Sequence, residues 1–445
     1  MSPWKRWAAP VGGLLLSVLL SGCFVQPTDS LYALPRQSDA YYDLQNAIDA
    51  ALPADAAYSG PLSGPNQQAV QLADLDGDGE DEALVFAKTS GEKPLKIYIF
   101  DAEDDSFVQT AVIEGDGTAF DAVEYVPVDD TSGMEIILGR QLSDQILQSL
   151  SVYSYSDGTA AELMHAAYTE YKVVDLNLDD RRDVLIFRQD TETRQGMAEY
   201  YTWEDGVMER RQTAALSKDI HTIERIVTGY VTADIPGVFV TSTYGEDALV
   251  TDVFAFRGQT FSNLTLSAES GVSTQLVRSY QVFATDIDED GVVELPTLVA
   301  LPSATAGEDT YWLVEWYSLQ TDGVGTKKET TFYYTPGGWY LTVPESWTDQ
   351  LTVSRTTEDS QCLRYTFSQW TGRDQTPQEI LSIFALTGED RLTRAQSEGK
   401  FLLGEKGDVA YAARLGESAL SKTLTEASVQ AMFHRIKTDW NSGET

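Results

Sequence analysis

Cysteine is nearly absent from this chain of 445 residues, which holds only Cys23 and Cys362. A disulfide framework is therefore excluded as the basis of the fold, which must rest on core burial or bound ions. Histidine is as scarce: His165, His221 and His434 lie too far apart for a local zinc motif of the HExxH kind. Basic residues are outnumbered, 31 Lys and Arg against 69 Asp and Glu, for a net charge of -38. Such a surface repels nucleic acid and anionic lipid headgroups, so a nucleic-acid partner is not expected. Also missing are a GxSxG elbow, a P-loop and a GxGxxG fingerprint. Paired carboxylates are too abundant to single out an acid and a base.

Long apolar runs are missing too, with one exception. Residues 1–23 place Lys5 and Arg6 ahead of an apolar stretch through Leu20, then "LSGC" ending at Cys23. The stretch is too short for a transmembrane helix. It resembles a bacterial lipoprotein signal with its lipobox. That resemblance implies cleavage before Cys23, lipidation of Cys23, and anchoring to the extracytoplasmic face of the cell membrane. Residues 24–40 hold Pro27 and Pro35 and little periodicity, as a tether would. In the lead-in 41–66, Tyr41, Leu44, Ile48 and Leu52 fall at helical spacing, an amphipathic helix able to cap the domain after it.

The 42% hydrophobic content supplies two or three domains with cores, and the middle of the chain is repetitive. A short aliphatic run, usually led by an acid, recurs as "EALVF" at Glu82, "EIILG" at Glu135, "DVLIF" at Asp183, "PGVFVT" at Pro236 and "ELPTLVA" at Glu294. An aromatic alternating run comes after each, beginning at Ile97, Val152, Tyr200, Val253 and Trp312. The offset between the two is 15, 17, 17, 17 and 18 residues, so they move together. A third alternating run precedes each pair ("AVQLADL", "DAVEYVPV", "EYKVVDLN", "ERIVTGYV", "QVFATDI"), and a fourth is fainter. Three to four strands per unit, five times over without intervening helices, predict a mainly β fold of propeller blades across 67–335. Five repeats are visible, and residues before Asp74 or near "ETTFYYT" leave room for five to seven blades.

The stretch "DLDGDGEDE" explains its own charge. Counted from Asp74, carboxylates stand at positions 1, 3, 5 and 9 (Asp74, Asp76, Asp78, Glu82), Gly79 stands at 6, and Glu80 at 7 can offer a backbone carbonyl. That is the ligand order of a calcium loop. "DIDEDGVVE" repeats it with Asp286, Asp288, Asp290, Gly291, Val292 and Glu294. "DLNLDDRRD" fits less well: Asp175, Asn177, Asp179 and Asp183 keep the order, but Asp180 replaces the glycine and Arg181 and Arg182 stand beside the ligands. The corresponding "VDDTSGME" has lost the alternation and "TADIPGVF" nearly all its carboxylates, so both are expected to bind no metal. Position 12 is Val85 or Thr297 and no helix comes after it, so these are not EF-hands. They resemble the Asp-rich loops of FG-GAP and VCBS repeats, the integrin α-type propeller family. That resemblance implies a structural calcium ion held between the first two strands of a blade.

Beyond residue 335 the repeat is lost. Strand-like runs "LRYTFSQW", "EILSIFAL" and "VAYAARL" precede "TEASVQAMFHRIKTDW", read as a closing helix capped by Thr425 with Val429, Met432, Phe433, Ile436 and Trp440 on one face. Trp339, "VPESW" and that helix give 336–445 a resemblance to small PsbP-like α+β domains, which are mostly binding or adaptor modules. Trp339, Tyr340 and Trp347 suit a buried core better than a sugar platform. The expectation is a monomeric, lipid-anchored, extracytoplasmic recognition protein for a protein, peptide or glycan, stabilised by calcium and without catalysis. The alternative is a surface polysaccharide hydrolase or lyase, with converging carboxylates on one propeller face.

Overall fold

The computed structural model describes residues 39–440 apart from 104–105, 143–147, 191, 205, 303–309, 324, 373–374 and 438–439. Cys23, the segment 1–23 and residues 24–38 of the expected tether lie outside the described residues. The protein is mainly β, and the described residues form six antiparallel sheets.

Chain order and sheet order coincide through the repeat region. In the first sheet β2 (Val70–Ala73), β3 (Glu82–Lys88), β4 (Leu95–Glu103) and β5 (Ser106–Gly115) pair in that order, and the short β1 (Ala57–Tyr58), ahead of the repeats, also pairs with β3. The second is the meander β6 (Ala119–Val126), β7 (Glu135–Gln141), β8 (Gln148–Ser156) and β9 (Thr159–Tyr168). The third runs through β10 (Glu170–Val174), β11 (Asp183–Asp190), β12 (Gln195–Glu204) and β13 (Val207–Ala215). The fourth is β14 (Ile220–Thr232), β15 (Ile235–Tyr244), β16 (Ala248–Arg257) and β17 (Thr260–Asn263). The fifth opens with β18 (Leu295–Ala300), β19 (Trp312–Leu319) and β20 (Gly325–Tyr334).

Both sequence signatures therefore land on strands in every unit: the aliphatic runs on β3, β7, β11, β15 and β18, the aromatic runs on β4, β8, β12, β16 and β19. The first four aliphatic runs lack polar alternation because their strands are covered on both faces; every residue of β3 from Glu82 to Ala87 is buried, whereas β18 is buried only over its first residues. Consecutive sheets share their cores. Leu84, Phe86 and Ile97 meet Phe120, Ile136 and Leu138, and Val152 and Met164 meet Val184 and Ile186. Leu185 and Phe187 meet Val238 and Phe254, and Val253 and Phe239 meet Val293 and Leu295. Ring contacts cross the same seams: Phe86 stands edge-on to Phe120 at 5.1 Å and Phe187 faces Phe254 at 5.8 Å. Such pairs add about 0.5–1.5 kcal/mol each beyond burial.

The two end faces of this series are covered differently. Ile48, Leu44 and Leu52 of the N-terminal helix Asp39–Ala51 and its exit pack on Ala83, Val85 and Tyr98, the side of the first sheet turned away from the second. The helix thus caps the repeat region, as its apolar spacing suggested. At the other end Leu313 and Phe332 pack on the sixth sheet. That sheet has the order β22 (Leu351–Asp359), β23 (Cys362–Gln369), β24 (Gln378–Leu386), β26 (Val409–Leu415) and β25 (Phe401–Lys406).

Three local expectations are corrected. "QVFATDI" forms no strand; it contributes an isolated bridge between Thr285 and Glu294. "ETTFYYT" belongs to β20, the central strand of the fifth sheet, and starts no further unit. The closing helix ends early. Thr425 caps it in a reciprocal box with Ser428, but it spans only Glu426–Met432, after which β27 (Phe433–Arg435) pairs with β21 (Trp339–Thr342) on the fifth sheet. Val429, Phe433, Ile436 and Trp440 are buried as the pattern required, though by a helix, a strand and a tail in succession. Backbone pairing offered by the free edge of β21 outweighs the helical periodicity of the segment. His434 accordingly sits on a strand, stacked on Tyr340 at 4.8 Å. Sequence on both sides of residue 335 therefore shares the fifth sheet.

Candidate metal centre

Each acid that leads a second strand does the same work. Glu82 Oε2 accepts the Leu75 amide at 2.7 Å, Glu135 Oε2 the Val128 amide at 2.5 Å, Asp183 Oδ2 the Leu176 amide at 2.9 Å and Glu294 Oε2 the Ile287 amide at 3.1 Å. All four are at most 1% exposed. The strand-leading carboxylate thus straps down the loop that precedes it, a role not legible from residue type alone. Burial pushes these groups up, Glu82 and Glu135 to about 7, Asp183 to about 6 and Glu294 to about 8.

Glu135 isolates the pH consequence, because its loop carries no expected metal. A carboxyl whose folded-state pKa is raised binds its proton more tightly folded than unfolded. Its stabilising contribution is complete below the ordinary glutamate range and lost as pH rises towards about 7. In Glu135→Gln, whose side-chain carbonyl still accepts the Val128 amide, melting temperature is expected to fall less between pH 5 and pH 8 than in wild type. Equal falls in thermal melts of the two proteins would refute this.

The three acidic loops have one backbone. Asp74 accepts from the amides of Gly77 (2.8 Å) and Gly79 (3.1 Å), Asp175 from Leu178 (2.7 Å) and Asp180 (3.0 Å), and Asp286 from Asp290 (3.0 Å) and Gly291 (2.9 Å). Positions 4 and 6 are left-handed in each: Gly77 and Gly79, Leu178 and Asp180, Glu289 and Gly291. Only the first loop has glycine at both, whereas the loop at Asp175 holds two residues in a conformation costing about 1–2 kcal/mol apiece. The loops also touch their neighbours along one edge. A Cβ on Gly133 would lie 2.0 Å from the Leu75 carbonyl oxygen, and the Arg182 amide donates to the Pro127 carbonyl at 2.7 Å.

Their charge differs more than their shape. Side-chain oxygens of Asp74, Asp76 and Asp78 lie within 4.8 Å of one another, as do those of Asp286, Asp288 and Asp290. A second group, Asp76, Glu82 and Asp101, joins the first loop at the same separation. Asp101 was missed from the sequence. It is positioned by register, since pairing of Ala83 with Phe100 sets Asp101 across from Glu82. Across from Asp183 the same rule sets Thr202, which with Tyr200 hydrogen-bonds the carboxylate. Among the described residues no such partner reaches Glu82 Oε1 or Glu294 Oε1, which are buried without a hydrogen bond. A hard divalent cation fits these two loops on that ground, because it takes anionic oxygens that nothing else satisfies. In the loop at Asp175, Arg181 reaches Asp179 at 2.7 Å, the cationic neighbour expected to disfavour a metal. Glu80 and Val292 donate their amides to Asp78 and Asp290, both at position 7.

Elsewhere the sixth sheet meets the fifth along a cleft of about 660 Å³ lined by Tyr334, Trp339, Tyr365 and Tyr411. The single carboxylate in its lining, Asp359, is paired with Arg394 at 2.7 Å. The acid and base that glycoside hydrolysis requires are not both present there. Trp339, Tyr340 and Trp347 are at most 5% exposed and belong to the core. Cys362 is free and buried. Among the described residues no helix is long and apolar enough to cross a membrane.

No family model matches the chain, and no curated protein matches it in sequence. Among solved structures it is similar to a mutant of AofleA from Arthrobotrys oligospora, at 11% identity over 74% of this chain and 85% of that one, TM-score 0.25. It is also similar to the exotype rhamnogalacturonan lyase YesX, at 10% identity over 82% and 76% of the two chains, TM-score 0.26. Likeness of this degree carries no argument about function.

Proposed function

We propose that the chain is a lipid-anchored, extracytoplasmic recognition protein. Its five repeat sheets act as propeller blades of the FG-GAP and VCBS kind, its Asp74 and Asp286 loops hold structural calcium, and it performs no catalysis. The observation that carries this reading is the recurring unit, complete in the first three sheets: a strand, a loop strapped by the next strand's leading carboxylate, and a four-strand meander packed on its successor. Glu82 Oε1 and Glu294 Oε1, buried and unpartnered, support the calcium. Asp74, Asp76, Asp78, Glu82 and Asp101 would hold it in the first loop, and Asp286, Asp288, Asp290 and Glu294 in the last. The ion supplies positive charge where several carboxylates would otherwise repel, and so stiffens one edge of the blades. Blades form an arc whose ends are covered by the N-terminal helix and by the sixth sheet, the latter serving as the PsbP-like module.

Anchoring rests on the "LSGC" segment and is tested separately. Cells expressing the full chain are expected to incorporate labelled palmitate into it and to retain it in the membrane fraction. Cys23→Ser should abolish both. Label persisting in that variant would refute the lipid anchor.

A further inference from the structure

The two loops that leave a buried glutamate oxygen unpartnered differ in what faces them. Among the described residues no lysine or arginine pairs with Asp74, Asp76, Asp78, Glu82 or Asp101. The last loop is faced by two lysines from beyond it. Lys328, on β20 of the same sheet, donates to Asp290 Oδ2 at 2.7 Å and stands 3.9 Å from Asp288 Oδ2. Lys437, just past β27, pairs with Glu289 at 3.0 Å. Glu289 occupies position 4, which offers no ligand, so Lys437 fastens the C-terminal segment to the loop without engaging the cage. Lys328 does engage it, at positions 3 and 5.

We propose that Lys328 is a tethered competitor for the cation of the Asp286 loop, dividing the acidic loops into a tighter calcium site at Asp74 and a weaker one at Asp286. This rests on the calcium reading above. The cage around Asp286 is complete in backbone and in strap: Asp286 holds its two amides and Glu294 Oε1 still has no partner. One ammonium neutralises part of the carboxylate repulsion without filling the cage. A calcium ion must take Asp290 Oδ2 from Lys328, whose side chain is already 33% exposed and can swing into water. The first loop poses no such competition and adds Asp101, so its four aspartates and Glu82 raise the local negative charge. Ligand charge count is one of the terms that tunes affinity in oxygen cages.

Calorimetric titration of calcium into the full chain tests this with Lys328→Met, which keeps the aliphatic stem, and Lys328→Arg, which keeps the charge. Wild type is expected to bind in two steps, and Asp76→Ala to retain only the weaker. Lys328→Met should tighten the weaker step by roughly two- to fivefold, the scale of one partly exposed ion pair removed, while the tighter step stays put. Lys328→Arg should leave the two steps apart. A Lys328→Met isotherm that superimposes on wild type would overturn the competitor role while leaving calcium binding intact. Absence of binding in both proteins up to about 10 mM, past the usual range of extracellular modules, would overturn the calcium reading, and the competitor role with it.

Discussion

Trp339→Ala is expected to lower the stability of the protein by about 3–5 kcal/mol, the range for removing a fully buried aromatic side chain. Trp339 is 1% exposed, and four rings pack around it: Phe332 at 5.7 Å, Tyr334 at 5.8 Å, Tyr365 at 5.4 Å and Phe433 at 5.6 Å. They come from β20, from β23 of the sixth sheet and from β27. One indole therefore joins the last repeat sheet, the sheet beyond it and the terminal strand. The neighbouring backbone is fitted to it, since a Cβ on Gly337 would lie 2.5 Å from Trp339 Nε1. Loss of the ring leaves a cavity that three elements must collapse into together, so the melt should broaden as well as shift. Trp339→Phe should recover most of the loss. A Trp339→Ala melt within about 0.5 kcal/mol of wild type, the scatter of neutral surface changes, would contradict this packing.

Calcium should stabilise the wild-type protein, and Asp76→Ala should remove most of the gain. For dissociation constants of about 10⁻⁴ to 10⁻³ M, saturation at 10 mM calcium adds roughly 1.4–2.7 kcal/mol per site by mass action. Asp76 belongs to both carboxylate groups of the first loop, and burial already holds its pKa up. The sign of the substitution should therefore reverse with conditions. In chelator Asp76→Ala relieves repulsion and should melt no lower than wild type. In calcium it should melt clearly lower. The same order of stability in both buffers would mean that Asp76 merely shapes a turn.

The sheets were legible because four of their five second strands are buried on both faces and leave unbroken aliphatic runs, and because an aromatic run comes after each at nearly constant offset. The clustering of the loop carboxylates was legible because acids at alternate positions of one tight turn bring their oxygens together, as Asp74, Asp76 and Asp78 do, and Asp286, Asp288 and Asp290. Asp101 was not, since what brings it to Glu82 is hairpin register across the turn at 89–94 and no spacing within the loop. Lys328 was hidden for the same reason, lying 38 residues after Asp290 and reaching it only through the folding of the fifth sheet. The closing helix misled because Val429, Phe433, Ile436 and Trp440 do face inward. A helical period and a helix–strand–tail path bury the same residues, and the free edge of β21 decides between them.

The most direct measurement is anomalous scattering from crystals of the protein grown with calcium, recorded at a wavelength where calcium is distinguished from water. The expected result is a peak at the Asp74 loop within about 2.3–2.6 Å of carboxylate oxygens, among them the Glu82 Oε1 that no group among the described residues satisfies. Crystals soaked in about 10 mM calcium that hold only water there, with Glu82 turned elsewhere, would contradict a calcium-stiffened edge.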